Sequence, residues 1–143
     1  MANIFHYFPI NASPEKVFET ISTPEGINNW WSIESRGTTG LGEVYEFVFG
    51  EEYHWAGVVS KYNPCTEFEL TFNKSDDDWD GSKVGFWLID KNTYTQVEFY
   101  HTGWPEANEH YRISNYCWAM YLRLLKRFIE YNEFVPYELR LEV

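Results

Sequence analysis

The sequence predicts an α+β domain in which a strongly bent antiparallel sheet of six to seven strands wraps around one long C-terminal helix, with two short helices after the first strand. Three observations predict it. The chain has 143 residues, a length that suits a single core. Runs of period two follow one another through residues 43–103, joined by short turn-rich loops. One run of helical period then covers about 107–132.

The elements follow in order. NIFHYFPIN, residues 3–11, alternates as a strand does. Ser13-Pro14-Glu15 is a helix start, with Ser13 as N-cap, Pro14 at the first helical position and Glu15 near the positive dipole end. Thr23-Pro24-Glu25 repeats that signal, so short helices are expected near 14–22 and 24–31. INNWW closes the second. Trp30 is expected to turn inward against the long helix, and Trp31 to cover the seam where the chain leaves for the sheet.

SRGTTGLG, 35–42, is a turn-rich connection. EVYEFVFG, 43–50, puts Tyr45, Phe47 and Phe49 on one face and Glu46 on the other. YHWAGVVSKYN, 53–63, carries large residues on both faces. EFELTFN, 67–73, aligns Phe68, Leu70 and Phe72. After the acidic loop KSDDDWDGS come KVGFWLID, 83–90, and TYTQVEFYHTG, 93–103, where Val97, Phe99 and His101 share a face. The last helix, at about 1.5 Å per residue, reaches nearly 40 Å and can cross the whole sheet. Its inner stripe includes Tyr111, Ser114, Cys117, Trp118, Tyr121, Leu124, Leu125 and Phe128. The tail FVPYELRLEV alternates again, and 133–143 reads as an extra strand that pairs with an edge of its own sheet or of a second copy.

Composition narrows the function. The net charge of −11 disfavours nucleic acid and anionic membrane surfaces, which reward clustered Lys and Arg. No apolar run reaches the length of a membrane span. The opening residues alternate and meet a proline, unlike a secretion signal. Cys65 and Cys117 form no metal spacing and no CxxC pair, which fits free thiols in a reduced, cytoplasmic protein.

Aromatic residues make up 20% of the chain, more ring area than a core of this size requires. Tyr45, Phe47, Phe49, Phe68, Phe72, Phe99, Trp118 and Tyr121 are expected to converge between sheet and helix, either lining a cavity or filling it. His54 and His101, on strands, are candidate polar handles. No histidine pair has metal-ligand spacing, and no cofactor is implied. Asp76, Asp78, Asp80 and Gly81 match the first half of a calcium loop, but Trp87 stands where the bidentate Glu is needed, and a hairpin loop is the better account. There is no GxSxG elbow, and Cys117 on a helix stripe reads as a buried thiol.

The element order, with INASPEKVFETISTPEGINNWW, HTGW and CWAMYLRLLKRFIE, resembles the START-like, Bet v 1-like (SRPBCC) helix-grip superfamily. Within it the chain is most similar to the activator of Hsp90 ATPase homologue 1-like group, over nearly all of residues 3–132. The resemblance implies a helix-grip domain over 1–132 with a C-terminal extension over 133–143. It also implies an apolar cavity between sheet and helix, and no single ligand. The expected function is non-catalytic binding of a small hydrophobic or aromatic molecule. The cavity residues would be Trp30, Tyr45, Phe47, Phe49, His54, Phe68, Phe99, His101, Cys117, Trp118 and Tyr121. A chaperone-interaction module is the alternative and an enzyme acting on a pocket-bound substrate the third reading. A homodimer through the C-terminal strand is the expected assembly.

Overall fold

The computed structural model describes residues 2–50 and 54–143. Among these residues, seven strands form one antiparallel sheet in the order β1-β7-β6-β5-β4-β3-β2. They are β1 (Ala2–Ile10), β2 (Glu34–Arg36), β3 (Val44–Val48), β4 (His54–Asn63), β5 (Glu67–Lys74), β6 (Lys83–Asp90) and β7 (Thr95–Trp104). The helices are α1 (Pro14–Ser22), α2 (Pro24–Ile27) and α3 (Glu109–Tyr131). This is the helix-grip architecture. Tyr53, placed in a strand from the sequence, lies outside the described residues. Among those described, no helix is long and apolar enough to cross a membrane.

Both early helices start as their sequences dictate. Ser13 Oγ accepts from Lys16 N at 3.2 Å, and Thr23 Oγ1 accepts from Gly26 N at 3.0 Å. Gly26 is required by close packing, because a Cβ there would collide with the carbonyls of Glu19 and Thr20 in α1. Asn108 caps α3 by accepting from Tyr111 N at 2.9 Å. At the other end Asn132 is left-handed, φ 54°, and its N–H bonds to Phe128 O at 2.9 Å.

The inner sheet face carries Tyr45 and Phe47 from β3, then Phe68, Leu70 and Phe72 from β5. It continues with Phe86 from β6 and Val97, Phe99 and His101 from β7, all buried. Against it α3 turns Ser114, Trp118, Leu122 and Leu125. Phe99 meets Trp118 with ring centroids 4.7 Å apart, which fixes the helix across the sheet's middle.

The C-terminal tail is not a strand. Pro136 cannot donate to a ladder, and Tyr137–Glu142 forms a 3₁₀ helix. In that geometry residues three apart share a face, so Tyr137 and Arg140 turn inward while Leu139 and Leu141 stay exposed. Arg140 is only 1% exposed. Its guanidinium donates to Val135 O at 2.9 Å, Ser32 O at 3.3 Å and Asn28 O at 3.0 Å. It lies 5.5 and 5.6 Å from the ring centroids of Phe134 and Tyr137. The tail therefore straps the turn after α2, satisfying carbonyls that the helix end leaves open. Arg140→Met is expected to cost about 2–4 kcal/mol, because those acceptors stay buried and lose their donor. Lysine, a point charge without the planar fork, is expected to restore little of it. Urea denaturation checks both, and a loss below about 1 kcal/mol for the Met variant would contradict the strap.

Candidate functional site

An open pocket of about 310 Å³ lies where one end of α3 meets the sheet, at the acidic loop between β5 and β6. Its apolar wall is Trp31, Phe49, Trp55, Trp79 and Trp118, and its rim includes Asp76, His110, Cys117, Tyr121 and Tyr137. The indoles of Trp31 and Trp79 lie within 19° of parallel at 6.4 Å, and those of Trp79 and Trp118 within 24° at 5.9 Å. Trp55 closes on Trp79 at 4.8 Å with a 53° tilt.

The enclosed cavity expected under the sheet gives way, among the described residues, to packed rings. Tyr45 meets Phe47 edge-on at 6.4 Å and Phe68 at a 32° tilt at 6.2 Å. The Tyr45 hydroxyl donates to Ser22 O at 2.7 Å. Phe99 is wedged between Phe86 and Trp118. Large rings meeting from both layers fill the space that smaller side chains would leave open. Of the eleven residues expected to line a cavity, Phe49, Cys117, Trp118 and Tyr121 line the pocket.

Both tryptophans are buried, and it is Trp31, not Trp30, that meets the long helix. Trp30 Nε1 donates to Thr20 O at 3.2 Å and its ring meets Phe86 edge-on, so Trp30 seals α1 against the sheet. Trp31 reaches the pocket and touches Phe47, Phe49, Phe72, Trp79 and Trp118. The turn that closes α2, with both Trp30 N–H and Trp31 N–H bonded to Ile27 O, leaves the two indoles only 20° from parallel. Both therefore point inward instead of diverging.

His54 is exposed on the outer face. Phe47 pairs directly with Trp55, and direct partners in an antiparallel pair share a face, so Trp55 turns in and His54 out. His101 is wholly buried, and both its nitrogens are engaged. Trp118 Nε1 can only donate, so Nδ1 of His101 accepts at 3.1 Å, and Nε2 carries the proton toward Ser82 Oγ at 2.8 Å. Burial pushes its pKa down to about 3, with His110 adding a smaller effect in the same direction. His101 is thus a neutral strut behind the pocket wall, not a handle for ligand.

Trp79 and His110 line the pocket and were not assigned to the site from the sequence. Trp79 sits in the loop read as solvated, yet it is buried. A single tight turn, in which Asp76 O accepts from Trp79 N at 2.9 Å and from Asp80 N at 3.0 Å, folds the loop back and drives the indole under α3. A lone indole among four aspartates was the available signal. His110 lies four, seven and eight residues before Ser114, Cys117 and Trp118, the same helical stripe, and that spacing was legible. Its Nδ1 donates to Asp78 Oδ2 at 3.0 Å, and Nε2 stands 3.9 Å from Asp76 Oδ2. Asp78 also accepts from Asn108 Nδ2 at 3.3 Å, which ties the loop to the start of α3.

The rim is chemically quiet. Burial raises the Cys117 pKa, which keeps the thiol protonated and a poor nucleophile. Burial, then the neighbouring Tyr137, raises that of Tyr121, so its hydroxyl stays neutral. The arrangement offers flat apolar faces, neutral hydroxyls and one histidine–carboxylate pair.

A family model described as activator of Hsp90 ATPase homolog 1-like protein matches residues 11–130. Among solved structures, the Aha1 dimer from Colwellia psychrerythraea is 28% identical, with a TM-score of 0.84 covering 93% of this chain and 99% of that one. Protein MLL2253 from Mesorhizobium loti is 18% identical, TM-score 0.81, over 93% and 100%. CalU16 from Micromonospora echinospora is 18% identical, TM-score 0.74, over 98% and 82%, and like the preceding protein it supports the fold alone. No curated protein matches the chain. With the grip fold and its tryptophan-walled end in place, the family match over most of the length settles membership: the chain belongs to the activator of Hsp90 ATPase homologue 1-like family of START-like proteins.

Proposed function

We propose that the protein binds a small hydrophobic or aromatic molecule in the pocket at the α3 end of the sheet, without turning it over. One observation carries the reading: four indoles and Phe49 form the wall of an open site of about 310 Å³ whose rim holds neutral hydroxyls. Covering those faces removes apolar surface from water at about 25 cal/mol per Å². A panel of aromatic probes read by tryptophan fluorescence tests it. Micromolar binding is expected, and Trp55→Ala should weaken it at least about tenfold, since half-buried Trp55 contributes its ring to the mouth. Binding that survives Trp55→Ala unchanged, or none at millimolar probe, would contradict the site. A cytoplasmic setting fits the two free thiols, Cys65 and Cys117.

A second reading is a chaperone-interaction module that self-associates. It rests on the family description and on a relative described as a dimer. The tail no longer offers a strand for pairing. The outer sheet face does expose Phe5, Tyr7 and Trp87, a cluster of a kind that marks association surfaces. Light scattering and a pull-down with purified Hsp90 separate this reading from the first.

A further inference from the structure

The charges around the pocket are one-sided. Among the described residues, Asp76 and His110 are its ionisable lining groups besides the protonated Cys117 and Tyr121 and the Tyr137 phenol, and no Lys or Arg lines it. Asp76 belongs to the same tight turn as Trp79, closed by the 2.9 Å bond between Asp76 O and Trp79 N, so one short segment supplies a carboxylate and an indole together. Half-buried Trp55 and buried Trp31 and Trp118 pack around that indole, with ring centroids 4.8–6.4 Å from Trp79. The chain as a whole carries −11, so the field at its surface draws cations in.

We infer that the pocket selects an organic cation, a molecule whose alkylammonium head sits among the indoles beside Asp76. The inference rests on the reading of this pocket as a ligand site and adds the class of ligand. Aromatic faces carry negative quadrupole potential and attract a cation within about 6 Å of the ring centroid, tryptophan most strongly. Methylated ammonium groups suit such a cage because they are weakly hydrated and present an apolar surface to the rings. Asp76 supplies the countercharge: its carboxylate is half-exposed, with His110 Nε2 3.9 Å away. The buried cation Arg140 lies 5.6 Å from the Tyr137 ring centroid and is committed to three backbone carbonyls.

The test uses two probes of one shape: 3-hydroxy-N,N,N-trimethylanilinium and 3-tert-butylphenol, which differ by the charge on one central atom. Calorimetric titration of the full chain should show the anilinium binding about tenfold tighter or more. Asp76→Asn should shrink that ratio severalfold, and thermal unfolding of the variant confirms that it is folded. If the phenol binds as tightly as the anilinium, the cation inference is overturned while the pocket reading stands. If neither binds, both fall.

Discussion

Trp79→Ala is expected to destabilise the protein by about 3–5 kcal/mol, the largest effect of any single truncation in the loop segments. The indole lies 4.4 Å from His101, 4.8 Å from Trp55, 5.5 Å from Phe72, 5.9 Å from Trp118, 6.0 Å from Trp104 and 6.4 Å from Trp31, centroid to centroid. It is the ring on which sheet, α3 and the Trp31 turn all meet. Removing it leaves a void open to the pocket, and the surrounding rings are too rigid to collapse into it. The indole N–H has no hydrogen-bond partner among the described residues, so the loss comes from packing, and Trp79→Phe should recover a substantial part. Urea denaturation with a fitted slope reads both variants. A loss under about 1 kcal/mol for the alanine variant would mean that the acidic loop is peripheral after all.

The second large effect is acid sensitivity centred on His101. The unfolded chain takes up a proton on this imidazole near pH 6.5, whereas burial holds the folded value at about 3. A base whose folded pKa is depressed contributes stability above its unfolded pKa and loses it as pH falls. Below about 6.5 the unfolded state binds the extra proton, and stability drops by roughly 1 kcal/mol per pH unit toward pH 3. Between pH 6.5 and 4.5 the expected loss is about 2–3 kcal/mol. His6, also lowered by partial burial, acts in the same direction, so the assignment needs a residue-level readout. The His101 ring resonances should stay in the neutral Nε2–H form down to pH 4.5. A titration midpoint near 6.5 would show that the Trp118–His101–Ser82 chain does not hold.

Much of the architecture was legible because each element carried its own periodicity. The strands β5, β6 and β7 read cleanly, as each alternates and sets its apolar residues, such as Phe68, Phe86 and Phe99, on one inner face. The start of α1 was fixed by Ser13 and Pro14, and Trp118 by its place on the stripe of α3. What failed did so for identifiable reasons. The tail's alternation over Val135, Tyr137, Leu139 and Leu141 is equally compatible with a 3₁₀ turn, in which Tyr137 and Arg140 coincide. Only the acceptors at Asn28 and Ser32, over a hundred residues away, decide between the two. His54 was misplaced because β4 carries large side chains on both faces, and parity came from its partner Phe47 in β3. Trp31 took the place against α3 expected of Trp30 because helical spacing does not extend through the turn they occupy. Trp79 was hidden by its polar neighbours, whose carboxylates cap and hold the loop while the one apolar ring goes inside.

The direct test of the central claim is nuclear magnetic resonance of the seven indole N–H groups during titration with an aromatic probe such as 3-hydroxy-N,N,N-trimethylanilinium. The pocket predicts that Trp55 and Trp79 shift together and saturably. Trp87, exposed on the opposite face of the sheet, should remain still. Shifts confined to Trp87, or none at all, would contradict a ligand site between α3 and the acidic loop.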